Sequence, residues 1–490
     1  MDFLDPKKKR QHTVRLMVGY ILIGIAVGLT SLILLFQTYG YDLNRKTGQV
    51  IQNGLVFVAS RPVAAKLYLN GVLKDTTSTK LTIAAGQYTI ELKQDSYRTW
   101  QRTFTLQGGT VKRFVYPVLF PTKLDTKDLQ LYSSAPTFAT ESPDRRWLLV
   151  QQPGTSSRFD NFDLNNPTTL PTVITLPDGL LSASTSPDSL KLVEWSTDNR
   201  HVLVQHTYGG GIEFIMIDRE QPASSYNVNR DFKINPTLVA LRNKRFDQLY
   251  LYNSAAKTIQ SADTRTKQLT QLLTNVINFK AYGANTIIYA TDDSQTPGNN
   301  TIRLWDGKKS YLQHLYPVSA NYILDMATYG DHNYVVVAQV GGNGVYIFKD
   351  PLNQAKQVSS PAPAAFTKLR LDQTAFVSFS ANAQFIMAQN GPNFSVYDIE
   401  NNARYAYKLK DVLPGSDQAT WMDGNRILVV QNAKTLVLDY DGTNQQTLAP
   451  TAAGSLPFFD RNYTNLYTIA PSVQVPDRAA LTRTLLTVKQ

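Results

Sequence analysis

The 490-residue sequence contains no cysteine. Disulfides, thiolate nucleophiles and cysteine-ligated metals are therefore excluded. Histidine is scarce: the five residues are scattered as His12, His201, His206, His314 and His332. Glutamate falls below its usual share, and most aspartates stand beside Gly, Asn or Pro, where a short acidic side chain bonds its own backbone in a turn. No G-x-S-x-G nucleophile elbow is present. The chain is thus poor in the groups from which acid–base, nucleophilic and metal chemistry are built. No catalytic residue, cofactor or metal ligand is assigned from it. It is not a disordered composition, however: 42% of residues are hydrophobic and 18% charged, enough to bury sizeable cores in two to four domains.

The first feature present is an uncharged run of 21 residues, Leu16 to Phe36. As a helix it spans roughly 31 Å, the thickness of a bilayer hydrocarbon core. Lys7, Lys8, Lys9, Arg10 and Arg15 precede it and a neutral FQTYGY follows. The positive-inside bias therefore places the N-terminus in the cytoplasm and everything beyond about residue 37 outside. In isolation PKKKR reads as a nuclear signal; directly before a membrane span it reads as a topology determinant. A cleaved signal peptide has a shorter apolar region of about 7 to 15 residues and a small-x-small site. The run here is longer and ends in LLFQTYGYD, so an uncleaved anchor is expected, leaving the cell membrane as the location. Gly24 and Gly28 form a GxxxG, the spacing through which two such helices can pack as a weak homodimer, although glycine is common in membrane helices without any such role.

From Gly54 to Pro121 the pattern changes to short alternating runs between turn residues. Tyr88, Ile90 and Leu92 share one face of QYTIELK, and Trp100, Phe104 and Leu106 share one face of the next run. Turns are marked at Asn70-Gly71, Ala85-Gly86 and Gly108-Gly109. Period-two alternation with such punctuation predicts a small antiparallel sandwich. Ser60-Arg61-Pro62-Val63-Ala64-Ala65, a strand into Asn70-Gly71, Thr79-Lys80-Leu81, Gly86-Gln87-Tyr88 and Ser96-Tyr97 resemble the PEGA domain over roughly residues 54 to 118. The naming motif stands as PVAA, without its Glu and Gly, and Ser96 replaces a usual glycine. The resemblance implies a non-catalytic β-sandwich of bacterial envelope and surface proteins, a spacer and contact module.

The remainder is a repeat. An apolar strand recurs as WLLVQQ, HVLVQH, QLYLYN, TIIYAT, YVVVAQ, FIMAQN, RILVVQ and NLYTIA. Before each lies a turn, marked by Asp144, Asp198, Lys244, Ala284, Asp331, Asn382, Gly424 and Asn462, at a mean spacing of about 45 residues. A strand usually closing on an acidic residue follows each copy, then a third strand in most; a further strand precedes each turn, as in LVEWS and ATWM. Four strands in eight repeats predict an eight-bladed β-propeller, with seven blades as the alternative, because a single blade cannot bury both faces. The last repeat lacks an outer strand; DLQLY, residues 128 to 132, is available to close the ring and remove its open edges. Ser142-Pro143-Asp144 before WLLV and the hairpin Asp439-Tyr440-Asp441-Gly442-Thr443-Asn444 resemble TolB or WD40-like propellers. Trp305-Asp306 is the sole WD dipeptide. That resemblance implies a shape rather than a task.

Three constellations have both a chemical and a plain reading. Asp439-x-Asp441-Gly442-x-Asn444 has the start of a calcium loop but lacks the downstream bidentate glutamate, and Asp-Gly between strands is an ordinary hairpin. Gly209-Gly210-Gly211 is followed by a strand, not by the helix and lysine of a phosphate cradle. Glu194 and Glu213 are the pair a glycosidase would need; strand placement alone also accounts for them. Most of the 26 tyrosines and five tryptophans are expected to pack blades rather than ligands.

The sequence therefore predicts an all-β protein with an N-terminal transmembrane helix. Its parts are a cytoplasmic basic tail (1–15), the anchor (16–36), a linker (37–53), a PEGA-like sandwich (54–121) and a propeller (122–490). The expected role is a non-catalytic, membrane-anchored envelope or cell-surface protein whose propeller is a binding platform for envelope components or protein partners, not nucleic acid. A membrane-tethered carbohydrate-active enzyme working at the propeller mouth is the alternative. The net charge is +11, and five basic against two acidic residues among the first 15 leave +8 for the rest, a surface suited to anionic polymers.

Overall fold

The structure is a computed structural model describing residues 6–38, 40–43, 50–184, 188–293, 297–318, 321–357, 362–411, 413–414 and 417–488. The chain forms two compact units, Met1–Lys123 and Leu124–Gln490, a division two residues from the predicted one.

In the first unit a helix runs over Pro6–Thr38. It begins well before the predicted anchor because nothing in PKKKRQHTV breaks a helix. Residues 1–5 of the predicted tail lie outside the described residues. The predicted linker needs correction: Tyr41–Leu43 is a strand pairing with Val50–Gln52, the start of the strand Val50–Val58. Of the linker residues, 39 and 44–49 lie outside the described residues. One sheet joins Tyr41–Leu43, Val50–Val58, Thr79–Ala84 and Val111–Phe114; the other joins Val72–Thr76, Lys66–Leu69, Gly86–Lys93 and Trp100–Leu106. The expected alternation holds, with Ile90, Leu92, Trp100 and Leu106 meeting Val56, Val58 and Phe114 in one core. One pair departs from the antiparallel expectation. Val111–Phe114 runs parallel to residues 55–58, because the chain crosses from one sheet to the other after the Gly108-Gly109 turn.

The second unit contains eight four-stranded antiparallel sheets. We number these blades 1 to 8: residues 139–175, 189–227, 238–273, 276–317, 322–369, 376–408, 420–450 and 458–485. Within each, strands follow in chain order from inner to outer. The second strand is buried on both faces, as in Trp147–Gln151 and Asn465–Pro471, which is why these strands read as unbroken apolar runs. Blade 8 has only three strands from its own segment, and Asp125–Tyr132 pairs with Ala479–Leu485 as the fourth. Leu148, Val150 and Phe162 of blade 1 pack against Phe458, Tyr467 and Ile469 of blade 8, so the ring is closed.

The acidic ends of the third strands have a local cause. Asp163, Asp218, Asp263, Asp306 and Asp398 each accept backbone N–H groups two or three residues on, fixing the turn into the outer strand. The turn markers lie between first and second strands in the last two blades as well, Gly424 before Arg426–Gln431 and Asn462 before Asn465–Pro471. Asp144, Asp198 and Asn382 cap their turns with their own side chains, and in blades 7 and 8 the capping side chains are Asp423 and Asp460, ahead of Gly424 and Asn462. Tyr250, Tyr397 and Tyr467 are fully buried between blades. Trp195 donates to Thr140 Oγ1 at 2.8 Å and Trp421 to Ser378 Oγ at 3.1 Å, the same bond between blades 1 and 2 and between blades 6 and 7.

Candidate functional site

The inner strands line the axis of the ring, and they differ greatly in length. In blade 5 the inner strand is Tyr322–Tyr329, eight residues; in blades 7 and 8 it shrinks to Thr420–Trp421 and Phe458–Phe459. The space left by these short strands is a concavity with two lobes. One, of about 590 Å³, reaches Glu141, Arg145, Trp421 and Phe458; the other, of about 760 Å³, is bounded by Leu413, Pro414, Val430 and Asn432. Lys191, Gln418, Thr420, Leu428 and Leu456 line both, so the lobes adjoin.

The floor of the first lobe is charged. Arg145 sits in a left-handed turn conformation (φ 57°), which throws its side chain across the ring. One terminal nitrogen donates to the Met422 carbonyl at 2.6 Å, and the guanidinium lies over Tyr463 at 4.6 Å. Its Nη1 is buried with no hydrogen-bond partner among the described residues. Nε stands 3.8 Å from Glu141 Oε1, while Glu141 Oε2 accepts from Phe459 N at 3.4 Å. Burial pushes the Glu141 carboxyl up to about 7 despite the opposing pull of Arg145 and the Phe459 N–H. The quarter of its side chain left exposed faces the lobe. Lys191, at the junction, has an exposed side chain and no acidic partner among the described residues.

A raised carboxyl value makes stability depend on pH in a definite direction. Between the ordinary carboxylate range and about 7, the folded chain keeps a proton that the unfolded chain has released. Stability contributed by this group therefore falls as pH rises through that window and the full penalty applies above it. Glu141→Gln, a neutral isostere, is expected to raise stability by on the order of 2 kcal/mol at pH 8 and to change nothing at pH 4. Thermal unfolding of the detergent-solubilised chain at the two pH values checks this.

The residues singled out in the sequence fall elsewhere. Glu194 lies in the inner strand of blade 2 and accepts from Leu241 N of blade 3 at 3.1 Å. Burial raises it, against that N–H and the positive charges of Lys244 and Lys280. Glu213 lies in the third strand and pairs with His206, whereas Glu194 pairs with Leu203. The two carboxylates are two strands apart and three positions out of step along the intervening strand, and the structure does not bring them together. Glu213 is instead a buried acceptor, taking bonds from Ser182 N (2.7 Å), Ser182 Oγ (2.8 Å), Asn227 Nδ2 (2.7 Å) and facing His206 Nδ1 at 2.9 Å. Asp439 and Asp441 serve their own hairpin: Asn444 Nδ2 donates to Asp439 and Thr443 to Asp441. Gly442 turns there at φ 84°, where a Cβ would stand 2.6 Å from the Tyr407 ring. Gly209-Gly210-Gly211 is the hairpin after His201–Tyr208. Asp306 of the WD dipeptide accepts from the Lys308 and Lys309 amides and pairs with Lys356 at 2.8 Å, which holds its carboxyl well below the usual range.

Sequence reasoning did not single out Glu141, Arg145 or Lys191. In SPDRRW two adjacent arginines have equal claims, and only the positive φ at Arg145 decides which one crosses the ring while Arg146 pairs with Asp163. Lys191 sits in a polar–apolar alternation that looks like any strand.

Comparison with known structures returns propellers. Hsv2 of Kluyveromyces lactis aligns with a TM-score of 0.41 at 11% identity, over 65% of this chain and 98% of its own. The dihydro-heme d1 dehydrogenase NirN gives 0.41 at 11% identity over 64% of this chain and 66% of its own. The tricorn protease gives 0.39 at 13% identity over 74% and 38%. Such similarities carry nothing about activity, and the blade count rests on the sheet topology above. No curated protein sequence matches the chain. The PEGA domain family matches residues 53–117, within a residue or so of the span the motifs marked out. The two sheets of the first unit are thus a PEGA domain, carried on one chain with a long apolar helix and an eight-bladed β-propeller.

Proposed function

We propose that this chain is a non-catalytic, membrane-anchored binding protein of the cell envelope or surface, with the propeller as its platform. The observation that carries the anchoring is the join between helix and PEGA domain. The stretch Arg10–Thr38 is long and apolar enough to cross a membrane, with none of its most apolar window buried in the protein. Gly40 N then donates to Gln37 O, Asn53 N donates to Gly40 O, and Tyr41 stacks on Phe36 at 4.8 Å. The helix therefore runs into the PEGA sheet with almost no free chain, and aromatic rings stand where a membrane interface favours them. Arg10 and Arg15 at the other end, with the lysines before them, support an N-terminus in the cytoplasm.

The platform reading is supported by the concavity, which is wide, mixed in character and adjoined by apolar Leu413, Leu428, Leu456 and Pro457. Its first lobe has one carboxyl among its lining residues, Glu141, where glycoside hydrolysis uses a flanking pair. Envelope polymers or protein partners are the proposed ligands, the former favoured by the basic balance of the chain. Gly24 and Gly28 have open space where a Cβ would stand, leaving that helix face free for a second copy.

Protease added to intact cells, with any wall removed, is expected to digest the propeller and leave a membrane fragment containing Leu16 to Phe36. Full protection of the C-terminal unit would reverse the orientation. Glycan hydrolysis by the purified chain that is lost in Glu141→Gln would replace the platform reading by the enzymatic one.

A further inference from the structure

The basic surplus of the chain is concentrated next to the anchor. Residues 54–121 hold nine Lys and Arg against three Asp and Glu, a net of +6, whereas residues 122–490 hold 33 against 32. Within the PEGA domain these charges avoid one end. Asn53 N donates to Gly40 O just past the helix, Gly109 N donates to Asn53 O, and Ala85 N donates to Gln52 O. The anchor therefore enters at the end built by the Ala85-Gly86 and Gly108-Gly109 turns. Residues 50–60, 81–90 and 103–111, which form that end and the strands leaving it, contain no Lys, Arg, Asp or Glu.

Moving away from the anchor along the strands, the first ionisable residues are Lys112 opposite Val56, Lys80 and Arg113 opposite Phe57, and Arg102 in the other sheet opposite Ile90. All four are basic. The acids of the domain are engaged elsewhere or stand beyond. Asp75 accepts from Thr76 N and Thr79 Oγ1, Glu91 pairs with Lys93 at 2.5 Å, and Asp95 lies in the turn closed by Tyr97 N on Gln94 O.

One outer face collects two of these cations. Val56 and Val58 point into the core, so Leu55 and Phe57 stand on the outside of their sheet. Leu55 lies between Thr82 and Val111, and Phe57 lies between Lys80 and Arg113. Val111 is 48% exposed, and the Arg113 guanidinium lies over the Phe57 ring at 5.1 Å. Lys80 and Arg113 are exposed and have no acidic partner among the described residues. The face thus runs from apolar to cationic with distance from the anchor. The strand Tyr41–Leu43, which carries Asp42, pairs with Val50–Gln52 on the anchor side of Asn53 and lies outside this face. At about 3.3 Å per residue, Leu55 is about 7 Å and Phe57 about 13 Å beyond Asn53. The headgroup layer of one leaflet is about 5–8 Å deep. A helix tilt of about 20°, ordinary for a single span, leans such a face toward the lipid, and the long stems of Lys and Arg cover the remaining distance.

We propose that this outer face docks on the bilayer that holds the helix, with Leu55 and Val111 against the headgroup layer and Lys80 and Arg113 paired with the phosphates of anionic lipids. Anionic lipid attracts basic residues held near the surface. The anchor supplies the lipid at high effective concentration, which two cations alone would not secure from solution. The proposal rests on the anchored reading of the helix and adds a second, charge-dependent contact with the same membrane.

The test uses the full chain reconstituted in nanodiscs. The sequence has no cysteine, so a single introduced one carries the only label. Thr82→Cys, exposed on the proposed face, bears a bimane fluorophore, and the lipid carries a nitroxide on its headgroup. Quenching is expected to be about twofold stronger or more in discs containing phosphatidylglycerol than in discs of phosphatidylcholine alone. Lys80→Gln with Arg113→Gln, or salt at about 1 M, where the Debye length is about 3 Å, should return it to the phosphatidylcholine level. Lys66→Gln with Lys74→Gln removes equal charge from the same domain and should leave the quenching intact. A label at Val63→Cys, in the turn at the far end of the domain, should stay unquenched. Equal quenching at Thr82→Cys in both kinds of disc, or equal loss in the two double variants, would overturn the docking face. A label at Leu29→Cys tests the anchor separately: quenched by an acyl-chain nitroxide in every disc, it leaves the anchored reading standing whatever Thr82→Cys reports. Unquenched, it removes both.

Discussion

Replacing Asp125–Tyr132 with an equal length of Gly and Ser is expected to abolish a cooperatively folded second unit. This segment of eight residues supplies the outer strand of blade 8, in register from Tyr132 opposite Ala479 to Asp125 opposite Leu485. It also ties the two ends of the ring to one another through side chains. Tyr132, 5% exposed, donates to Asp160 of blade 1 at 2.9 Å. Thr126 bonds Thr484 at 2.8 Å, and Asp128 accepts from Ser472 Oγ, Val473 N and Gln474 N. Burial tends to raise the Asp128 carboxyl, yet these donors hold it below its ordinary value. Loss of the Tyr132 ring alone should cost about 3–5 kcal/mol, the usual range for a large buried aromatic. Loss of the whole strand adds an unpaired edge along Ala479–Leu485, a site for aggregation. Because a closed ring shares each blade's buried faces with its neighbours, blades 1 and 8 should open together. Keeping the segment length constant leaves the connection to the PEGA domain intact, so the result reads the strand and not the tether. Tyr132→Ala serves as the graded variant. An exchanged chain that stays monodisperse and melts like the parent would refute closure by this strand.

The ring was legible because its signals are local. Each second strand is apolar on both faces, and five of the eight third strands close on an aspartate whose carboxylate takes the amides of the next turn; both signals show in a few residues, and the recurrence of the second strand counts the blades. The closing strand followed from the same count, since the last repeat was one strand short. What the sequence misplaced depends on contacts over longer distances. Tyr41–Leu43 looks like linker because three residues carry no period, and only pairing with Val50–Gln52 makes them a strand. In blades 7 and 8 the turns lie where the sequence marks them, and only the structure shows that Asp423 and Asp460 are the side chains that cap them. The concavity was not legible at all. ATWM reads correctly as an inner strand, but nothing in it says that the strand stops at two residues or that Ala419 is diverted onto Gln389. Glu194 and Glu213 were noticed for a chemistry that needs them together. The strand register separates them, and the buried role of Glu213 depends on Ser182, a loop residue 31 positions earlier.

Glu213 accordingly carries the second large prediction. It is 3% exposed and its two oxygens accept from Ser182 N, Ser182 Oγ and Asn227 Nδ2 while facing His206 Nδ1. Burial alone would raise this carboxyl; the four groups around it outweigh burial and hold it below the ordinary range. His206 is fully buried and its other nitrogen faces Asp188 at 3.0 Å, so both ring nitrogens lie within hydrogen-bond distance of carboxylate oxygens. The cluster holds the segment around Ser182 to blade 2: Asn227 also donates to Leu180 O and Arg230 to Ser182 Oγ. Glu213→Ala leaves an imidazole, an amide and a backbone N–H buried with their acceptor gone. The expected loss is about 3–5 kcal/mol, as for other buried ionic networks broken from one side. Glu213→Gln keeps one acceptor oxygen but turns an NH₂ toward donors, and should cost less, about 1–3 kcal/mol. The sign of the pH dependence follows from the lowered carboxyl: its contribution is complete above the unfolded carboxylate range and is lost as pH falls through the folded value. The gap between parent and Glu213→Gln should therefore be full at pH 7 and close in strong acid. Hydrogen exchange at the Ser182 amide, fast in both variants and slow in the parent, separates loss of this bond from a general loss of stability. An unchanged unfolding midpoint in Glu213→Ala, with Ser182 still protected, would show that the segment is held by Arg230 and Asn227 without the carboxylate.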